Sequence, residues 1–288
     1  MDDDDPRRVG VLLRDWRRRK KLSQLDLALL ADTSTRHLSC VETGRARPSR
    51  SMVLRLAEHL DVPLRDRNGL LLAAGYAPAY RESPLDSDRM AMAHAALRAM
   101  LAGHEPNPSV VIDRVWNVVD YNDAMSVLLD SVPSALTGAD ANVMRLILHP
   151  DGLAGQCLNF AEVRAHALAR LAHQAAATGH RDLRDLYEEV AAYPVPPDAD
   201  GVPAPADPDG FTAPLRVRTP LGNLSLFSMI ATFGAPADVT LSELAVETFF
   251  PADEATAQVL RDLAETRDAG GVGGMRNALV SRSVRPGL

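Results

Sequence analysis

Ser34-Thr35-Arg36-His37-Leu38-Ser39-Cys40-Val41-Glu42-Thr43-Gly44 carries the punctuation of one short helix within a single eleven-residue stretch. Ser34 is a good N-cap, because its hydroxyl accepts from a free amide of the first turn. Leu38 and Val41, three residues apart, share an inward face. Gly44 supplies the left-handed conformation that ends a helix. The other side holds Thr35, Arg36, Ser39 and Cys40, short or cationic, with no second apolar stripe. A helix with one apolar face and one short polar face is shaped for insertion.

Upstream, Val9, Leu12, Leu13 and Trp16 form a helical stripe opposite Arg14, Arg18, Arg19 and Lys20. Ser23 caps a second helix with Leu25, Ala28 and Leu29 inward, and residues 31–33 make a tight connection into Ser34. Downstream, Arg47-Pro48-Ser49 breaks the chain, and Met52, Leu56 and Leu60 carry a fourth helix. Pro63 opens a fifth over residues 66–74, closed at Gly75. Five short helices joined by short loops make an all-α domain, and the second and third have helix-turn-helix proportions.

Charge separates this front from the rest. Residues 6–80 hold 15 Lys and Arg against 7 Asp and Glu, whereas residues 81–288 hold 16 against 27. The formal net charge of −7 therefore hides a basic front and an acidic rear, and a polyanion partner is expected for the front alone. The 288 residues suffice for two cores. No apolar run approaches the ~18 residues of a membrane span, and the acidic start lacks a signal-peptide pattern. Two cysteines, Cys40 and Cys157, make no disulfide framework. A cytoplasmic protein with no membrane partner is expected.

The ordered set Leu13-x-x-Trp16-Arg17, Leu22-Ser23-Gln24-x-x-Leu27-Ala28 and Leu38-x-x-Val41-Glu42-x-Gly44-x-x-x-Pro48-Ser49 resembles the Cro/C1-type (XRE-family) repressor domain over residues 9–75. The resemblance implies a double-stranded DNA operator, read by a dimer over two half-sites. It places Gln24 where the second helix grips a phosphate, and pairs Arg17 with Glu42 as a structural brace. The chemistry of residues 34–44 agrees independently. Thr35 suits a thymine methyl or a phosphate, and Arg36 can fork onto a guanine. Ser34 and Ser39 flank them, and Arg45, Arg47 and Arg50 come after, where a loop tracks phosphates. The expected DNA contacts are thus Gln24, Ser34, Thr35, Arg36, Ser39, Arg45 and Arg47. Cys40 faces the same groove but is short for a base contact.

Prolines after Gly75 mark a boundary, and a linker helix over residues 86–102 carries an apolar side of Met90, Ala93, Leu97, Met100 and Leu101. That stripe fits core packing or a seam with a second copy. Ser109-Val-Val-Ile-Asp113 and Trp116-Asn-Val-Val-Asp-Tyr121 read as a hairpin, with Asn122 capping a helix over 124–129. Further helices are expected at 142–149, 159–178 and 182–192, then a Pro-rich loop over 193–208. Strands at 215–219, 223–233 and 243–250 and a closing helix at 252–266 complete an α+β domain with a five-stranded antiparallel sheet and a helical insert.

Arg81-x-Ser83-Pro84-Leu85-x-Ser87, Trp116-x-Val-Val-x-x-Asn122-x-Ala124, Asn142-x-Met-Arg145, His149-Pro150, Thr232-Phe233-Gly234-x-Pro236-x-Asp238-Val239-Thr240 and Phe249-Phe250-Pro251-Ala252-Asp253 make this rear similar to the MmyB-like regulators. That similarity implies a Per-Arnt-Sim-like (PAS-like) fold holding a small hydrophobic acid, a long-chain fatty acid being one possibility, with no cofactor required. For the acid head, Arg145 and His149 share a helix face at i, i+4, and a guanidinium suits a carboxylate. Tyr121 and Asn122 are the second choice. The competing expectation is a protein-interaction or dimerisation module without ligand, docking through the stripe from Met90 to Leu101.

The expected divisions are an acidic tail at 1–8, the DNA-binding domain at 9–79, the sensor domain at 80–267 and a flexible tail at 268–288. His166, His173 and His180 recur every seven residues, about 10.5 Å per step on a helix, too far for one metal ion. Cys157-Leu-Asn-Phe160 has the wrong order for a flavin photosensor motif. No nucleophile–base arrangement, phosphate loop or carboxylate pair stands out, so no enzyme is expected.

Overall fold

The computed structural model describes residues 6–196 and 214–270, and these fall into two compact units with separate cores. The first comprises the described residues up to Ser83 with two later pieces, Ala176–Gly179 and Ala235–Ser242. Its helices are α1 (Pro6–Arg19), α2 (Gln24–Leu30), α3 (Thr35–Glu42), α4 (Arg50–His59) and α5 (Leu64–Ala73).

Serines start three of these helices. Ser23, Ser34 and Ser49 each accept a hydrogen bond from the amide three residues on, at 3.1, 3.1 and 3.3 Å. Such caps are worth about 1 kcal/mol each. At Ser23 the box is reciprocal, since Asp26 accepts from the Ser23 amide at 2.9 Å. Gly44, at φ +74°, ends the α3 segment as the sequence suggests. The core is built on Val9, Leu13, Trp16, Leu27, Leu38, Val41, Leu56 and Leu70. On α2 the inward residues are Leu27 and Ala28, whereas Leu25 and Leu29, expected inward, are exposed. The short α2 packs on α3 and α4 through the residues at its middle. Gly10 has a different role. A Cβ there would stand 2.3 Å from the Val41 carbonyl oxygen, so glycine permits the close approach of α1 to the end of α3.

The second unit is the sheet-bearing one. A short 3-10 turn leads into α6 (Ala91–Gly103), and β1 (Ser109–Ile112) and β2 (Val118–Tyr121) form the expected hairpin. The helical insert comprises α7 (Ser126–Leu129), α8 (Ser134–Thr137), α9 (Val143–Leu148), α10 (Phe160–Thr178) and α11 (Arg181–Ala191). After β3 (Leu215–Thr219) and β4 (Gly222–Thr232), α12 (Val239–Ser242) groups with the first unit. Beside it, Asp238 accepts from the Ser83 hydroxyl at 2.7 Å, and the Val239 amide donates to the Arg81 carbonyl at 2.8 Å. β5 (Ala245–Pro251) and α13 (Glu254–Gly270) close the chain. The five strands are antiparallel in the order β2-β1-β5-β4-β3.

Several expectations change. Of the stripe on the linker helix, Met90, Leu97 and Leu101 are buried but Met100 is exposed. His180 precedes α11 rather than continuing α10, because Gly179 at φ +71° ends that helix, so the three histidines share no face. The closing helix runs on to Gly270, past the expected start of the tail. Residues 1–5 and 271–288 and most of the Pro-rich loop lie outside the described residues.

Candidate functional site

α3 presents Thr35 and Arg36 exposed at its first turn, with Ser39 half-buried one turn later. Ser34 uses its hydroxyl on the His37 amide, so its side chain holds the helix start. Behind this face stands a closed ion pair. Arg17 Nε and Nη2 donate to the two carboxylate oxygens of Glu42 at 2.6 and 2.9 Å, and Arg17 Nη1 donates to the Leu22 carbonyl at 2.8 Å. Gln24 Nε2 also donates to Glu42, at 2.9 Å. Both charges are buried. Burial alone would raise the Glu42 pKa, but the bonds from Arg17 and Gln24 and the nearby positive charges hold it below the ordinary carboxylate range. The brace thus ties the end of α1, the start of α2 and the end of α3 into one frame.

Two expected DNA contacts look different in place. One amide donor of Gln24 is committed to Glu42, so its side chain serves the brace before any phosphate. Arg47 donates twice to the Ala74 carbonyl, at 3.1 and 2.8 Å, and lies over the Tyr76 ring. Its guanidinium fastens the loop before α4 to the end of α5. Arg45 and Arg50 are exposed.

The expected head-group residues of the second unit are engaged by protein partners of their own. Arg145 forks onto Glu189 at 2.7 and 2.7 Å, and the Tyr193 hydroxyl joins the same carboxylate at 2.5 Å. The bonds from Arg145 hold the Glu189 carboxyl low, while burial and Glu189 push the Tyr193 hydroxyl up to about 12. His149 packs edge-on against Tyr193, and its Nδ1 accepts from the Asp151 amide at 3.0 Å. Asn122 is buried and spent. Its Oδ1 accepts from the Ser109 amide at 2.8 Å, and its Nδ2 donates to the Asn107 carbonyl at 2.8 Å and the Leu101 carbonyl at 3.3 Å. It bridges α6 and β1 rather than capping with its side chain. Tyr121 packs against the core. These are corrections of one kind: helix spacing puts Arg145 and His149 on a shared face, but that face meets α11.

A cavity lined by other residues lies between α9, α10 and the inner face of the sheet, with a volume of about 210 Å³. Pockets for drug-sized ligands run about 300–1,000 Å³, so this one suits a smaller molecule than a long-chain fatty acid held whole. Val143, Met144, Ile147, Val163, Leu215, Ile230 and Phe249 supply apolar walls. Its polar groups are Trp116, His166, Arg170, Ser228 and Glu247.

Sheet register explains the oddest of these. On β5, Glu247 and Phe249 alternate inward, and Ile230 and Ser228 of β4 stand directly opposite them. Glu247 is 5% exposed, in a position where an apolar residue is the rule. Arg170 of α10 has Nη1 4.0 Å from its carboxylate, beyond hydrogen-bond distance. Burial raises the Glu247 pKa despite the bond from Ser228 and the charge of Arg170. Burial also lowers that of Arg170. The Arg170 guanidinium lies 4.4 Å from the Trp116 ring centroid, and Trp116 Nε1 donates to Gln174 at 2.8 Å. Trp116 itself has φ +69°, a left-handed backbone costing about 1–3 kcal/mol outside glycine. Asp113 holds that turn by accepting from the amides of Val115 and Asn117, both at 2.9 Å. None of the five polar lining residues stands out in the sequence as a binder. The available signal is one acidic residue on the inward phase of an otherwise apolar strand.

Cys157 is half-buried, and burial pushes its thiol up to about 11, which favours the protonated form. Among the described residues no group of three or more His, Cys, Asp or Glu is placed to hold a metal ion, and no helix is long and apolar enough to cross a membrane.

Comparison with known proteins respects the same division. A family model described as the MmyB-like transcription regulator ligand binding domain matches residues 93–263, and a helix-turn-helix domain model matches residues 8–70. Among solved structures, the PAS domain from Bordetella pertussis BvgS is 15% identical, covering 62% of this chain and 98% of that one with a TM-score of 0.26. At that score the likeness supports nothing about this chain. No curated protein matches significantly.

Proposed function

Because the chain belongs to the MmyB-like transcription regulators, a helix-turn-helix DNA-binding unit joined to a ligand-binding domain, we propose that α3 reads operator bases and that the cavity under α10 senses a small hydrophobic acid. The observation that carries the DNA half is the exposed first turn of α3 standing on the Arg17–Glu42 brace. Thr35 and Arg36 are the readers, and Arg45 and Arg50 meet phosphates. Two copies bind a two-half-site operator. The ligand half is supported by the apolar walls around a guanidinium, a combination suited to an acyl chain ending in a carboxylate. Arg170 takes the head-group role that helical spacing alone would give to Arg145.

Ligand binding shifts the populations of conformers that fit the operator. The deciding experiment selects duplexes from a random pool with the full chain, then measures affinity with and without octanoate. Selected duplexes should bind differently in the two conditions, and identical affinity at saturating octanoate would sink the sensor half. Arg36→Ala should cost about 1–3 kcal/mol on a selected duplex and little on random DNA. An equal loss on both would make Arg36 a phosphate contact instead.

A further inference from the structure

We propose that the cavity binds its acid together with a proton, Glu247 being protonated from solvent as the ligand carboxylate reaches Arg170. The inference rests on the reading that the ligand is an acid.

The geometry is that of a pair left open. Glu247 projects from the central stretch of β5, with apolar Val110 of β1 and Ile230 of β4 as its cross-strand neighbours. The cation across the cavity, Arg170, stops 4.0 Å short of it and is held over Trp116. The remaining titratable group in the lining is His166, one turn earlier on α10. From β4 the only polar lining group is Ser228, which hydrogen-bonds the Glu247 carboxylate, and α9 contributes apolar side chains alone.

Charge decides what such a pair accepts. With Glu247 ionised, Arg170 and Glu247 sum to zero, and an arriving carboxylate would leave a net negative charge in an apolar cavity. Two carboxylates sharing one site cannot both ionise cheaply, and the pKa of one rises strongly. With Glu247 protonated, its hydroxyl donates to one ligand oxygen while Arg170 donates to the other. The site then holds one cation and one anion. Burial already favours the protonated acid at Glu247, so the proton adds to a preference built into the strand. A neutral ligand of the same shape leaves the Arg170–Glu247 charges as they are and takes up no proton.

The test is calorimetric titration of the full chain with octanoate and with octan-1-ol, in two buffers of different ionisation heat, from about pH 5 to about pH 8. Where the free protein has Glu247 ionised, octanoate should take up close to one proton and weaken by up to about tenfold per pH unit. Octan-1-ol should show neither effect. In Glu247→Gln the octanoate slope and the proton uptake should vanish while binding persists. In His166→Gln both should remain, which separates the imidazole from the carboxyl. Arg170→Gln should remove the preference for octanoate over octan-1-ol. Octanoate binding at constant affinity without proton uptake, or a slope that survives in Glu247→Gln, overturns the proposal and leaves the acid-sensor reading standing. Failure of octanoate to bind at any pH overturns that reading, and the proposal with it.

Discussion

Each unit of this protein sets an arginine against a buried glutamate, and the two pairs are built to opposite ends. In the helical unit Arg17 and Glu42 meet as a fork at 2.6 and 2.9 Å, with Gln24 and the Leu22 carbonyl filling the remaining positions. The contact outweighs burial and pushes both groups toward their charged forms. In the sheet unit Arg170 and Glu247 stand 4.0 Å apart beside a cavity, and burial pushes both toward neutrality. A buried pair that closes on itself is a strut. One held open beside a cavity, with its arginine half-buried, has unspent hydrogen-bonding capacity, and a ligand can use it.

The comparison breaks most visibly if the strut fails to behave as one. Glu42→Ala leaves Arg17 buried without its partner and should cost about 3–5 kcal/mol, read as lost hydrogen-exchange protection across α1 to α3. Replacing both, as Arg17→Met with Glu42→Leu, should recover most of that loss. If the double variant is no better than the single, the brace is not acting as a closed pair. The depressed Glu42 pKa adds stability that is fully present above the unfolded carboxyl value of about 4.3 and is lost as pH falls through the lower folded value. The double variant should lack that acid limb.

A smaller effect is expected at the joint the strut spans. Gly10→Ala drives a methyl into the Val41 carbonyl and should cost about 1–3 kcal/mol by the same exchange measurement. Operator binding should fall with it, since α3 is displaced.

Glu247→Gln should act in the other direction. The raised pKa means the native state favours the proton. Its contribution is present at low pH and is lost as pH rises through the folded value. Thermal melts of Glu247→Gln should therefore match the parent at low pH and exceed it progressively at higher pH, by on the order of a few degrees. A constant difference across pH would remove the contrast between the two pairs. Least of all, Arg145→Ala should cost at most about 1 kcal/mol, because its pair with Glu189 is well exposed to solvent. Octanoate binding should not change. A lost ligand in Arg145→Ala would return the head-group role to that residue.

How much of this is legible in the sequence depends on sequence distance. The helix-turn-helix unit is assembled from signals a few residues long: Ser23, Ser34 and Ser49 as caps, Gly44 as the stop, Thr35 and Arg36 between them. Those features are local, so their geometry comes from the chain alone. The inward face of the short α2 escapes sequence reading for a related reason. Seven residues carry too little periodicity to choose whether Leu27 or Leu25 and Leu29 join Ala28 inside, and packing on α3 and α4 makes the choice.

In the sheet unit the strands and the helical insert are legible from β-branched runs and helical periods, and their antiparallel arrangement agrees with the expected class. The cavity is not. Arg145 and His149 satisfy the one rule sequence offers for bringing side chains together, helical spacing, yet that rule is silent on what their face meets. It meets Glu189 and Tyr193.

The sequence by itself determined where helices begin and end, which one presents Thr35 and Arg36, and that a basic front precedes an acidic rear. Those properties depend on neighbours within a turn or two, or on composition. The resemblance to the Cro/C1-type repressors already implies the Arg17–Glu42 pair, whereas only the tertiary structure decided which arginine answers Glu247. Arg17 reaches Glu42 because Gly10 lets two helices touch. Arg170 faces Glu247 because antiparallel register turns one acidic residue inward beneath α10. Long-range pairing of this kind is set by the packing of whole elements, and no local spacing encodes it.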